Sequence, residues 1–415
     1  MRASAFCVVI EPQQSTAVPL SGYGGAQRAC EGSHLSLEAN GIVFRTASGD
    51  PVLLVSIDTL FVGEAFSRLL VESLSVGSQD WTVVSVASHT HFAPALDSRL
   101  GALGSVNDEY LTTTVEAISA AARKANVNEH PLVAARAGAS ICAENISRRR
   151  ESWVRNKPGL SYRREFRIAP NRKGPTRHQV DLVELVDMHS NPIAIVWSWP
   201  CHPVTSPYRN RSSSDFPGAV RETVRRAELS DQLPVLYLPG FAGDQRQRGF
   251  LPEIRLRKFV HQPFSMRFPQ NTPRRFNNLV DRLAKSLTAA RAGATDVELT
   301  DYIDHSQISV PLNELISSGT GEQQLIADSL QSGEMGILAL NAEVCAPYYD
   351  LLRRPVGKGR LATGYGACVF GYLPSSRQVV EGGYEASRSL ATFGIDGSFH
   401  PEVDEIVASK LSDFL

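Results

Sequence analysis

The stretch Trp81-Thr82-Val83-Val84-Ser85-Val86-Ala87-Ser88-His89-Thr90-His91-Phe92-Ala93-Pro94 decides how this chain is read. Its first eight residues form an apolar, β-branched run of the length of a buried strand. Two histidines follow at its end. Side chains two apart in extended backbone point the same way, which predicts that His89 and His91 face one cavity. Ends of strands in open α/β sheets are where sites are built.

The same alternation continues on either side. Segments 51–58 and 81–88 read as strands, and each is followed by a helical pattern, at 63–76 and 107–125. Further strands are expected at 132–137, 180–186, 192–199 and 234–238, with a polar hairpin loop between the second and third of these. The fold class is therefore α/β, with a mixed, largely parallel β-sheet flanked by helices. Residues 147–178 and 246–275 are rich in Arg, Lys, Pro and Gly and lack periodicity, so they read as long excursions from the scaffold. A helix at 276–292, strands at 303–311 and 336–340 and a closing helix at 401–411 complete the outline. No repeat or linker divides the chain, and residues 1–415 are expected to form a single domain.

Composition narrows the function classes. Hydrophobic residues at 42% and charged residues at 20% describe an ordinary globular protein rather than a disordered one. The 42 Lys and Arg nearly cancel the 43 Asp and Glu, so no global field draws the chain to nucleic acid. The N-terminal apolar run is too short for a secretory signal, and no segment is long enough for stable membrane insertion. A cytoplasmic protein acting on a small-molecule substrate is the expectation, and a homo-oligomer is compatible with it. The six cysteines show no C-x-x-C pair or dense framework, which argues against disulfides and against a thiolate zinc cluster.

A second apolar run, 193–200, ends in Cys201-His202-Pro203, so two strands end in histidine. A catalytic zinc takes N and O ligands from separated parts of the chain and keeps an open position. His202 supplies what the His89/His91 pair lacks. Ser212-Ser213-Ser214-Asp215 leads into a helical segment, with Asp215 expected as its N-terminal cap. Gly240 to Asp244 follow a third strand, with glycines that permit a tight turn and close approach to a ligand.

Taken in order, these stretches resemble the catalytic domain of the neutral (non-lysosomal) ceramidases. The matching residues are Gly22-Tyr23-Gly24, Ser56-Ile57-Asp58, His89-Thr90-His91, Asn145-Ile146-Ser147-Arg148, His202, Asp215, Gly243-Asp244, Asn341-Ala342-Glu343, Gly371-Tyr372-Leu373-Pro374 and Gly383-Tyr384-Glu385. The resemblance implies that His89, His202, Glu343 and Tyr372 bind one zinc ion per chain. It also implies that His91, Arg148 and Tyr384 line the reaction centre, His91 moving a proton while Arg148 or Tyr384 steadies an oxyanion. Cys201 and Cys345 adjoin two of these ligands.

Two departures bear on substrate. Where the family carries a serine two residues after Gly-Asp, this chain has Arg246, a bulky cation that is no nucleophile. The family's additional C-terminal β-sandwich domain is not expected within these residues. Asp244, Arg246 and Arg248 are the expected substrate-binding residues, and Arg246 and Arg248, with Arg255, Arg257, Lys258 and 148–150, would set a positive rim on the cavity. The reading is hydrolysis of an amide bond in a small, anionic acylated metabolite. Ester or lactone hydrolysis on the same zinc, and a catalytically silent metabolite-binding protein, stay open.

Overall fold

Along Pro51–Ile57 every residue is buried, because apolar side chains on both faces of this strand have neighbours to cover them. Val52 and Leu54 point to one apolar cluster, and Leu53, Val55 and Ile57 to another. That two-sided strand lies at the heart of the computed structural model. The structure describes residues 1–13, 18–23, 28–75, 79–127, 133–156, 161–252, 265–318, 323–352, 358–412 and 414.

The first sheet runs β1 (Ala3–Val9), β2 (Glu38–Arg45), β3 (Pro51–Ile57) and β4 (Thr82–Ala87) in spatial order. Only β3 and β4 are parallel, with Ile57 opposite Ala87, and helix α1 (Glu64–Leu74) makes the crossover between them. Helix α2 (Asp108–Val127) packs beside α1. The second sheet uses β5 (Ala134–Ile141), β8 (Gln179–Val186), β9 (Pro192–Trp199), β10 (Val235–Pro239) and β12 (Thr295–Val297), in the order β10-β9-β8-β5-β12. Here the parallel pair is β9 with β10, joined through α3 (Asp215–Glu228), and α4 (Pro273–Ala292) covers the outer face. The third sheet places β13 (Asp304–Pro311), β14 (Gln324–Ser332), β15 (Met335–Leu340) and β17 (Arg360–Thr363) side by side, with β15 and β17 parallel.

The inner faces of all three sheets meet in one apolar core. Ile42, Val84 and Val86 come from the first sheet, Val183, Val196 and Leu238 from the second, and Leu330, Ile337 and Leu361 from the third. Helices close the outer faces, as the period-two alternation of each strand requires. The α/β class and the mixed sheets are as expected. Within the sheets the weight is antiparallel, with a single parallel pair in each, and β2–β3, β8–β9 and β14–β15 are joined by hairpins too short for a crossover.

Residues 147–178, read as an irregular excursion, contain instead the hairpin of β6 (Asn145–Arg155) and β7 (Tyr162–Asn171), with β11 (Gln245–Gln247) on the other side of β6. Its polar, half-exposed residues hide the period that a buried face would show. β2 also escaped the sequence reading, since Glu38 and Asn40 interrupt it. Both are buried, and Arg225 of α3 donates to Glu38 (2.8 and 2.9 Å) and to Asn40 (3.1 Å). Asp215 is the first residue of α3, after an N-cap at Ser214. All six cysteines are unpaired. Among the described residues no helix is long and apolar enough to cross a membrane. Gly24, Arg255, Arg257 and Lys258 lie outside the described residues.

Candidate metal centre

In each of the three sheets, the two strands of the parallel pair end at the same place. Beyond β3 comes Leu60, beyond β4 His89, beyond β9 His202, beyond β10 Ala242, beyond β15 Glu343 and beyond β17 Tyr365. Their contacts join into one cluster. His89 Nδ1 donates to the Leu60 carbonyl (3.0 Å), and its ring stacks on Tyr365 (centroids 4.2 Å apart). His202 Nδ1 donates to the carbonyls of Ala242 (2.8 Å) and Gln245 (3.1 Å). His91 Nδ1 donates to the Gly22 carbonyl at 2.7 Å.

A carbonyl can only accept, so each of these Nδ1 atoms carries a proton, and in the neutral ring Nε2 carries the lone pair. The ligand atoms of His89, His91 and His202 lie within 4.8 Å of one another. His89 and His91 bring their Nε2 atoms to 3.3 Å. Two lone pairs at that distance repel unless a cation lies between them. Carbonyl-anchored imidazoles aimed at one point are the arrangement that metal-binding histidines use. Glu343 Oε2 completes the set, 3.4 Å from His89 Nε2 and 3.2 Å from His202 Nε2. These three histidines can hold a metal ion.

The reason His89 and His91 converge differs from the sequence expectation. His89 is not extended but left-handed, with φ 63°. For a residue with a Cβ that conformation costs about 1–2 kcal/mol, and it turns the imidazole into the space between the sheets.

Glu343 and Tyr372 are placed by register. The short strands β16 (Glu343–Val344) and β18 (Tyr372–Leu373) pair in parallel with Glu343 directly opposite Tyr372, so the two side chains leave on one face. Arg148 ties Tyr372 to His202, with Nη2 donating to the Tyr372 hydroxyl (2.9 Å) and Nη1 to His202 Nε2 (3.0 Å). Its Nε donates to Glu385 Oε1 at 2.8 Å, while Arg149 Nη1 donates to Oε2 of the same carboxylate at 2.8 Å. Tyr384, half-exposed, has its ring 5.5 Å from that of Tyr372.

The expected substrate residues separate. Asp244 is buried and both of its oxygens are taken by protein, Oδ1 accepting from the Ala346 N–H (2.9 Å) and Gln245 (2.8 Å), Oδ2 from Gln378 (2.9 Å). Arg248 is exposed and turns to the Ala143 carbonyl. Arg246, half-buried in β11, lays its guanidinium over Phe268 (4.9 Å). Asp215, expected as a cap, accepts instead from the backbone of Thr205 (2.7 Å), Ser206 (3.0 Å) and Phe216 (2.6 Å), pinning the loop that leaves His202. Cys201 and Cys345 are buried and stand outside the converging ligand atoms. A cavity of about 990 Å³ lies against the Arg149 side of β6, lined by Ser147, Phe166 and Gln378 but by none of the histidines.

No family model and no curated protein matches this sequence. Solved structures do match. The neutral ceramidase from Pseudomonas aeruginosa superposes with a TM-score of 0.73 at 13% identity, over 98% of this chain and 72% of that one. A ceramidase complexed with C2 gives 0.71 at 14% identity, over 98% and 73%. The chain has the neutral ceramidase fold.

Within this ceramidase fold the electrostatics favour a cation-binding state. Burial, reinforced by His89 and His202, holds His91 well below the ordinary imidazole value. Burial and Arg148 push His202 down to about 4. Both rings are therefore neutral near pH 7, as metal ligands must be. Burial alone would raise Glu343, but His89 and His202 outweigh it and hold the carboxyl well below the usual range. Burial pushes the Tyr372 phenol well up, against the opposing charge of Arg148. The two neutral imidazoles beside an ionised carboxylate form a donor set suited to a divalent metal ion.

Two members of this candidate site are not marked by the sequence patterns. Tyr365 carries the face on which His89 stacks, and its hydroxyl reaches Glu343 Oε2 at 3.4 Å. Its signal was Gly364-Tyr365-Gly366, a bulky residue between two glycines, held at φ 62°. Glu385 was noted only as part of a motif, and its neutralisation of both Arg148 and Arg149 depends on contacts more than two hundred residues apart in sequence.

Proposed function

We propose that this chain is a zinc-dependent hydrolase that cleaves the carbon–nitrogen bond of a small acylated metabolite, with water as the nucleophile. The observation that carries the reading is the convergence of the three histidine Nε2 atoms, each ring fixed by a main-chain carbonyl, with Glu343 against His89 and His202. His89, His202, Glu343 and Tyr372 would hold one zinc per chain. Zinc at such a site supplies Lewis acidity, polarising a carbonyl and making water acidic near neutral pH.

The chain's own residues do the rest. His91 is the half-exposed histidine, and with Nδ1 committed to Gly22 it offers Nε2 to take a proton from the attacking water. As the C–O bond forms and the C–N bond breaks, that proton passes to the departing amine. Glu385 keeps Arg148 charged and close to Tyr372; with the His202 Nε2 lone pair that Arg148 engages given to a metal, the Arg148 guanidinium, 5.8 Å from the Tyr384 ring, would be freed toward the oxyanion. That both structural neighbours are ceramidases supports amide cleavage as the reaction. Six unpaired cysteines suit a reducing, cytoplasmic setting.

The test is elemental analysis of the purified protein beside a His202→Ala variant, with turnover of N-acyl amides, esters and lactones measured on both. One zinc per chain that vanishes in the variant together with amide turnover is the expected result. Absence of bound metal after zinc is offered would sink the proposal, and turnover confined to esters or lactones would replace the amide with those bonds.

A further inference from the structure

Solvent approaches the cluster on the side of His91 and Tyr384, whereas His89, His202, Glu343 and Tyr372 are all buried. The residue standing at that approach is Tyr23, whose ring lies 5.3 Å from His91. Two guanidinium groups flank it, Arg28 at 4.6 Å and Arg209 at 4.9 Å from the ring centroid. Arg246 is within electrostatic reach of both Tyr23 and Arg148. Three cations thus gather where a substrate must enter.

They are not equivalent. Arg28 is committed to the protein, donating to the carbonyls of Ser21 (2.6 Å), His91 (2.6 Å) and Arg209 (2.5 Å). Its work is to hold the backbone of His91. For Arg209 and Arg246 no carboxylate lies within ion-pair distance among the described residues. The acid within electrostatic reach of Tyr23, Asp215, is buried with its oxygens accepting from Thr205, Ser206 and Phe216. Among the described residues, therefore, no carboxylate pairs with Arg209 or Arg246 at this mouth.

Arg246 is also rigidly placed. Its backbone is held in β11 opposite Ile146, one residue after Gln245, whose carbonyl fixes His202. Phe268 supports the plane of its guanidinium. A half-buried, preorganised fork with no carboxylate in ion-pair contact among the described residues is suited to a planar group with two oxygens. A compact monoanion loses less hydration than a dianion in such a place.

We infer that this site selects acyl amides bearing a carboxylate, with Arg246 gripping that group and Arg209 drawing it in across Tyr23. The scissile bond rests on the hydrolase reading above; the anion site stands on separate residues. The experiment is isothermal titration of the zinc-loaded protein with N-hexanoylglycine and with its uncharged counterpart N-hexanoylglycinamide. The same titrations are run on Arg246→Ser, Arg246→Lys and Arg209→Ser, with zinc content checked throughout. The acid should bind at least about tenfold more tightly than the amide, a preference of roughly 1.4 kcal/mol. Arg246→Ser should erase it, Arg246→Lys should keep part of it, and zinc content should not change. Equal affinity for the two probes, no binding of either at millimolar concentration, or a preference that survives both serine variants would overturn the proposal. Hydrolysis of each probe is followed separately. An intact preference without cleavage counts against the hydrolase reading alone, and cleavage without preference against the anion site alone.

Discussion

The Nε2 atoms of His89 and His91 face each other at 3.3 Å, each ring having already given its Nδ1 proton to a main-chain carbonyl. Neither nitrogen can donate to the other in the neutral state, so a cation beside the two lone pairs, a metal ion or a proton, relieves their repulsion. A metal bound by the folded chain alone stabilises it by mass action. Zinc at a hundredfold excess over its dissociation constant should add about 2.7 kcal/mol. Thermal melts with and without a chelator should show that gain in the wild type, and its loss in His89→Ala.

Tyr365 supports the site without supplying a listless wall of hydrocarbon: it stacks on His89 and points its hydroxyl at Glu343. Tyr365→Phe keeps the stack and removes the hydroxyl. Metal affinity should fall roughly tenfold, the low end for loss of an outer-shell partner. Stability without metal should change by less than about 1.5 kcal/mol. Competition against a chromophoric chelator separates the two effects.

Gly22 has φ 104°, and a Cβ there would lie 2.7 Å from His91 Nδ1. Gly22→Ala should therefore displace the His91 ring while leaving His89, His202 and Glu343 in place. Zinc content should survive, and turnover should drop about a hundredfold, the cost of misplacing a reacting group by about 1 Å. Equal loss of metal and turnover would show that His91 is needed chiefly to bind the ion.

Glu385 is buried between Arg148 and Arg149. Burial alone would raise its pKa, but the two guanidiniums outweigh burial and lower it. A depressed carboxyl contributes stability that is present above the unfolded value, about 4.3, and is lost as pH falls through the folded value. Glu385→Gln should cost about 3 kcal/mol at neutral pH, since it leaves the buried Arg148 without its carboxylate partner and Arg149 with Glu381 alone. Denaturant titrations should show that gap closing as pH drops below about 4.

The local elements were legible in the sequence wherever one face of a strand or helix is apolar and the other is not. β9 was located to the residue, and β3, β4 and α4 nearly so, because their side chains sort cleanly between the inner core and the covering helices. β2 and the hairpin of β6 and β7 were not, since their polar residues are satisfied by distant partners or by solvent. His89, His91 and His202 stood out because polar groups directly after buried strands are costly without a purpose. Glu343 and Tyr372 came only through family resemblance. Their pairing is a matter of register in a two-residue ladder that no local pattern announces.

What the sequence by itself determined is therefore the class of fold and the identity of the histidines, because hydrophobic period and strand ends are local properties of the chain. Only the tertiary structure decided the chemistry: which nitrogen of each histidine keeps its proton, that Asp244 and Asp215 serve the scaffold, and that Arg148 is held by Glu385 from the far end of the chain. Those outcomes follow from hydrogen bonds and charge pairs between segments that meet only when three sheets close around one core, and a linear pattern does not encode which distant carbonyl or carboxylate a side chain will meet.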